Sequence, residues 1–175
     1  MKKTSYKIIS GKTKIDNVET FMNKTAQFAE THHVHIQVLD AEMICGLIHL
    51  ESAIIHSLRT KSENRMTTQS IEMETLLYAS GERQLTHAIP KIGIKKGDQS
   101  IAVIILNDNH SKEKIADIVM LFEKEFHFQR DSSVLEPTIE KIKRWGFSKT
   151  QIDTISKKEY EDLILEKIAF VDIIK

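Results

Sequence analysis

The sequence predicts an α/β fold: a single helix-rich domain with a small mixed β-sheet. Amphipathic stretches at helical spacing outnumber the short alternating stretches that suit strands. Three or four strand candidates lie scattered between the helices, the order expected of α/β chains. The 175 residues are 41% hydrophobic and 29% charged, which suits one globular domain (residues 1–175) with one substantial core. No internal repeat, low-complexity run or linker divides it.

Tyr6 to Ile9 is a short strand candidate. Asp16-Asn17-Val18-Glu19 reads as a capping-box start, followed by Val18, Phe21, Met22, Thr25, Phe28 and Ala29 at helical spacing. Val34 to Val38 alternates like a strand with one face buried. Asp40 is expected to cap a long helix with the stripe Ile44, Leu47, Ile48, Ile54, Ile55 and Leu58, interrupted by Glu51. Arg59 to Met66 has no stripe and reads as a polar loop. A helix from about Thr68 to Ala79 ends at Gly81, and a short one over Arg83 to Ile89 stops at Pro90. Lys95 to Asp98 is a turn into the strand Ser100 to Leu106. Ser111 opens a helix with Ile115, Ile118, Val119 and Phe122 inward. Pro137 suits a first helical position leading to Ile142 and Trp145. Ser148–Gln151 and Ser156–Glu159 fit capping boxes, the second launching a last helix from Lys158 to about Ile174.

Several function classes fall away. Formal charge is zero and the pI about 7.1, so no global positive field recruits nucleic acid, and any such site is a local patch. The single cysteine, Cys45, excludes an internal disulfide and a cysteine-rich zinc site; its apolar neighbours mark it as a buried thiol. With no apolar leader and no membrane-length run, an intracellular protein with no membrane contact is expected. Ser10-Gly11-Lys12-Thr13 ends like a phosphate loop, but Tyr6 stands where that motif needs glycine. His32, His33 and His35 lack a metal-binding partner set, because side chains adjacent on a strand point to opposite faces. No nucleophile motif is present. Neither a cofactor nor a metal is expected, nor a small-molecule substrate.

The stretch LLYASGERQLTHAI places Arg83 and Gln84 directly after a helix stop. The connections at both ends of the preceding helix are polar and basic: Lys61, Asn64 and Arg65 before it, Arg83 and Gln84 after it. One reading leaves these charges simply solvated. The other folds the two connections into a small pocket, where arginine and lysine meet phosphate oxygens while asparagine and glutamine meet a base edge. Such a pocket suits a single-stranded RNA end better than a duplex groove.

From Asp40 to Ile105 the chain resembles the small accessory, kinase-binding subunit of the KEOPS (EKC) complex, the family that contains the animal kinase-binding protein TPRKB. The resemblance lies in Ala53-x-x-His56, the loop with Lys61, Asn64 and Arg65, the run Glu74 to Tyr78, and Ser80-Gly81-Glu82-Arg83-Gln84-Leu85. Tyr160 to Ala169 is similar to the family's last helix. The resemblance implies a non-catalytic subunit of the machinery that makes tRNA threonylcarbamoyladenosine, docked on an atypical small protein kinase. It further implies contact with the single-stranded CCA end at the tRNA 3′ terminus, for which Lys61, Asn64, Arg65, Gly81, Arg83 and Gln84 are the candidate residues. A protein-only adaptor of the kinase is the alternative. Leu165, Ala169, Phe170 and Ile173 spread apolar surface beyond the last helix's packing stripe, making Phe170 and Ile173 candidates for a protein interface.

Overall fold

The computed structural model describes residues 4–108, 111, 113–173 and the backbone of Ile174. In chain order the elements are β1 (Ser5–Ile15), α1 (Val18–His32), β2 (His35–Asp40), α2 (Leu47–Ser62), α3 (Ile71–Ser80), α4 (Leu85–Ile92), β3 (Gly97–Asn107), α5 (Ile115–Glu125), β4 (Gln129–Arg130), α6 (Ile139–Arg144), α7 (Lys149–Asp153) and α8 (Tyr160–Ile174). Short 3-10 turns cover Ala41–Met43, Ser132–Leu135 and Lys157–Glu159. The fold is α/β, and its contacts divide into two compact units: Met1–Asp40 with Ile94–Val134, and Ala41–Gly93 with Leu135–Lys175. Among the described residues no helix is long and apolar enough to cross a membrane.

The first unit is a four-stranded sheet in the order β2-β3-β1-β4 with α1 and α5. Every pairing is antiparallel, which narrows the expected mixed sheet to an antiparallel one. Because β3 lies between β1 and β2, this is the split βαβ arrangement, made twice over in βαββαβ order. β1 is much longer than Tyr6 to Ile9, since Ser5 to Ile15 pairs continuously with Asn107 to Gly97. Lys12 and Lys14 are exposed while Thr13 and Ile15 are buried, so alternation continues through a stretch that composition marks as a loop. Gly11 and Lys12 are therefore ladder residues, unlike those of a phosphate loop. Isoleucines and valines of the sheet meet Phe28, Phe122, Phe126 and Phe128 from the other layer. Phe122 and Phe126 stack at 4.3 Å, and Phe28 meets Phe122 edge-on at 5.6 Å. α1 begins on Asn17, whose Oδ1 accepts the Thr20 N–H at 2.8 Å.

The second unit is helical, and here α2 departs most from expectation. Asp40 is the last residue of β2; α2 starts seven residues later, after a 3-10 turn and Gly46. Gly46 has φ +84°, and a Cβ there would lie 1.5 Å from a carboxylate oxygen of Glu161, so glycine is required twice over. The helix runs through Arg59 to Ser62, taking four residues of the expected loop. Its buried face carries His49, Leu50, Ala53, Ile54, Ser57 and Thr60. Leu47, Ile48 and Ile55, expected inside, are 49%, 45% and 58% exposed. The physical reason is the close seam with α3: small residues let the backbones approach, and Ser57 Oγ lies 2.8 Å from Thr75 Oγ1. Periodicity cannot rank two faces when both carry apolar residues.

α3 begins on Ser70 and ends with Gly81 at φ +66°. There Gly81 and Glu82 donate to Tyr78 and Leu77 carbonyls, the paired bonds of a Schellman end. α2 ends the same way: Asn64, at φ +53°, donates to Lys61 O, and Arg65 donates to Thr60 O. Pro90 lies inside α4 rather than ending it, because proline removes one hydrogen bond near the helix end while Ala88 and Ile92 stay buried. α6 starts two residues after Pro137, on Thr138. Both predicted capping boxes, Ser148–Gln151 and Ser156–Glu159, are formed. On α8, Tyr160, Ile164, Ile168 and Val171 are buried.

Three buried polar groups fix this unit. Lys141 Nζ donates to Ile44 O at 2.7 Å, and Trp145 Nε1 donates to Met43 O at 2.9 Å. His49 is fully buried: its Nδ1 accepts the Cys45 N–H at 3.1 Å, which leaves Nε2–H to donate to Ala79 O at 2.8 Å. Burial pushes its pKa down from 6.5 to about 4, against the opposing pull of the Ala79 carbonyl. Burial likewise pushes the Cys45 thiol up to about 11, so it is packing material and no nucleophile.

The His49 environment sets a pH dependence. Between pH 6.5 and 4 the unfolded chain binds a proton there and the folded chain does not, so stability rises with pH in that window. Its contribution is complete above pH 6.5 and is lost as pH falls towards 4, at about 1.4 kcal/mol per pH unit and about 3 kcal/mol in all. Urea unfolding from pH 4 to 8 should show this slope. In His49→Gln, which offers a donor and an acceptor but does not titrate, the slope should shrink by that amount.

Candidate functional site

The turn at Gly81 delivers Arg83 and Gln84 to the start of α4. Gln84 is the N-cap, in extended backbone, yet its side chain makes no capping bond. Both side chains are exposed. With Thr67, Thr68, Leu77, Leu85 and Thr86 they line a cavity of about 360 Å³. That is the low end for a ligand pocket, about right for one nucleoside and too small for a duplex.

Charge accounting singles out Arg83. Arg65 is tied to Glu63, and Arg59 to Asp172. Lys91 pairs with Glu82 at 2.8 Å and lies over the Trp145 ring. Among the described residues Arg83 has no ion-pair partner, and the Gln84 amide has no hydrogen-bond partner. Lys61, Asn64 and Arg65 sit at the end of α2, outside the cavity lining; Thr67 and Thr68 hold the place expected of them. Asn64 has a backbone role as well, since the Schellman turn needs a residue that accepts the left-handed conformation. Gly81 sits on the turn and lines a second depression, with Phe147, Leu163, Lys167 and Phe170.

Thr67 and Thr68 were missed because threonines in a loop carry no positional signal. They are held from beneath by Glu74, a fully buried carboxylate on α3. Its signal was available: Glu74 falls between Ile71 and Leu77 at helical spacing, a charge in an apolar position.

Apolar surface lies elsewhere. Phe170 and Ile173 on α8 are 50% and 74% exposed, so neither belongs to the core. Asp172 anchors this end of α8: it accepts from Tyr78 Oη and Arg59, and lies 2.6 Å from His56 Nδ1. Burial works against ionisation there, but the bonds from Tyr78 and His56 hold the carboxyl below the usual carboxylate range. α2, which packs against α8 through these groups, adds exposed Leu47, Ile48 and Ile55.

In the first unit a wider depression of about 540 Å³ includes Lys12 and Lys14, but each lysine is paired, with Asp131 and Asp16. His32 is paired with Glu113 and His35 with Asp108, while His33 forms the left-handed end of α1. Among the described residues no group of three or more histidine, cysteine, aspartate or glutamate side chains is placed to hold a metal ion.

Residues 13–172 match the family model described as kinase binding protein CGI-121. A protein of Methanocaldococcus jannaschii, named regulatory protein Cgi121, is 26% identical over 141 residues, covering 79% of this chain and 84% of that protein. The EKC/KEOPS complex subunit CGI121 of Kluyveromyces lactis is 25% identical over 130 residues, covering 70% and 81% respectively. With nearly its whole length inside the match, this chain belongs to the kinase binding protein CGI-121 family.

Proposed function

We propose that this chain is a non-catalytic, cytoplasmic subunit of a KEOPS complex, acting in tRNA threonylcarbamoyladenosine modification by docking on the kinase subunit and binding the single-stranded CCA end of tRNA. The family and the names of its relatives support complex membership and a kinase partner. The observation that carries the RNA contact is the cavity at the start of α4, which presents an unpaired guanidinium and an unpaired amide beside threonine hydroxyls. One cation for a phosphate and several small polar groups for a base edge is what a single-stranded end requires. A protein-only adaptor is the competing reading, favoured by neutral charge and by the exposed apolar residues of α2 and α8. Titration of the protein against tRNA with and without its CCA end separates the two: equal affinities leave the adaptor standing.

Arg83→Glu tests the cavity directly. Binding to CCA-ended RNA should weaken at least tenfold, because a charged contact worth about 1.5–3 kcal/mol is lost. The log–log salt slope should become shallower by about 0.7, one phosphate contact on a single strand. Stability should stay within about 0.5 kcal/mol of wild type, since the side chain is exposed. Unchanged affinity removes the cavity from consideration.

Asn64 needs two variants. Alanine in the left-handed turn costs about 1–2 kcal/mol whatever the side chain does, whereas Asn64→Gly keeps the turn. If the amide reads a base, both variants lose CCA affinity alike. If only the turn matters, the glycine variant binds as wild type does.

Phe170→Asp should leave folding intact, because the ring is half exposed, while reducing co-purification with the kinase subunit. A folded Phe170→Asp protein that still co-purifies fully moves the docking surface elsewhere.

A further inference from the structure

Glu74 is unusual in this fold. It is a fully buried carboxylate on the fourth residue of α3, and a buried charge is tolerated only where hydrogen bonds satisfy it. A single oxygen, Oε2, accepts the Thr67 and Thr68 backbone N–H groups, each at 3.1 Å, and is reached by both hydroxyls, at 3.3 and 3.0 Å. These threonines lie in a segment without helix or strand, so Glu74 replaces the backbone partners that regular structure supplies elsewhere. The same two residues line the cavity together with Arg83 and Gln84.

We propose that Glu74 is a specificity-determining positioning residue: by drawing the Thr67 and Thr68 hydroxyl protons inward, it makes this wall of the cavity present oxygen acceptors that select a base with an amine at pyrimidine position 4 or purine position 6. This rests on the RNA-end reading of the cavity. A hydroxyl has one proton and two lone pairs, so a hydroxyl that donates to Glu74 can only accept on its other side. Thr68 Oγ is also 2.9 Å from Ser70 O, and either choice of acceptor turns its proton away from a bound base. Cytosine N4 and adenine N6 are amines, whereas uracil O4 and guanine O6 at the corresponding positions are carbonyls that would meet acceptor against acceptor. Glutamine at position 74 would set its amide oxygen against the two backbone N–H groups and keep the polarity, whereas methionine, of similar size, offers no acceptor and frees the Thr67 hydroxyl proton to turn outward.

The test compares three RNA minihelices: one ending in CCA, one ending in UUI (inosine for adenosine, so that every amine becomes a carbonyl), and one lacking the single-stranded end. Wild type should bind CCA on the order of tenfold more tightly than UUI, the scale of one good base contact. In Glu74→Met the preference should collapse towards one, with Arg83-dependent salt sensitivity retained, while Glu74→Gln should keep it; loss of shape alone would lower both affinities together and keep their ratio. If Glu74→Met fails to fold, Thr67→Val with Thr68→Val removes the hydroxyls at constant shape and should abolish the preference in the same way. Wild type that needs the single-stranded end but treats CCA and UUI alike overturns the role of Glu74 and leaves the pocket intact. A folded Glu74→Met protein with full preference does the same. Wild type that binds all three RNAs equally overturns both the pocket and the inference drawn from it.

Discussion

The close seam between α2 and α3 is the constraint on which the second unit depends. Ala53, Ser57 and Thr60 keep the α2 face small, so the α3 backbone can approach, and the buried polar groups there are satisfied by one another. His49 spans the seam at one end, from Cys45 N–H to Ala79 O, and Ser57 meets Thr75 further along. An apolar seam could slide by a fraction of a turn at modest cost. Directional bonds between buried groups cannot, because a slipped register leaves donors and acceptors unpaired. With α3 fixed, Gly81 turns the chain at a defined place, and Arg83 and Gln84 inherit their positions from it.

The same unit then offers two surfaces of opposite chemistry. The start of α4 is polar and cationic; α2 and α8 expose leucine, isoleucine and phenylalanine. Ion pairs sharpen the contrast by occupying most nearby cations internally: Arg59 with Asp172, Arg65 with Glu63, Lys91 with Glu82. A chain of zero net charge can thus keep one guanidinium available without becoming a general polyanion binder.

Much of this was legible in the sequence, where local chemistry decides local structure. The Gly81 stop and the two serine capping boxes are where their side-chain patterns place them, while the first helix takes Asn17 rather than Asp16 as its cap. The alternation of Val34 to Val38 and the inward residues of α5 followed from periodicity. Misreadings arose where tertiary context outweighs propensity. β1 extends through Gly11, Lys12 and Lys14 because β3 pairs with it, which no local signal shows. Ile54 of α2 is buried as its spacing indicates, but Leu47, Ile48 and Ile55 face out because the rest of the buried face is small and polar. At the candidate site Arg83 and Gln84 stood out by type, but further lining came from Thr67 and Thr68, whose place depends on a carboxylate several residues later.

The strand order also bears on how the polypeptide emerges from the ribosome. β3 is the keystone between β1 and β2, yet more than fifty residues of helical chain separate the end of β2 at Asp40 from the start of β3 at Gly97. Until β3 is synthesised, β1 and β2 have unpaired edges, the kind of surface on which nascent chains aggregate. The helical unit closes later still, because Lys141, Trp145 and Asp172 can meet Ile44, Met43 and Tyr78 only after β3 has been made. The edges of β1 and β2 are therefore the segments of the first unit most open to wrong pairing before β3 is made.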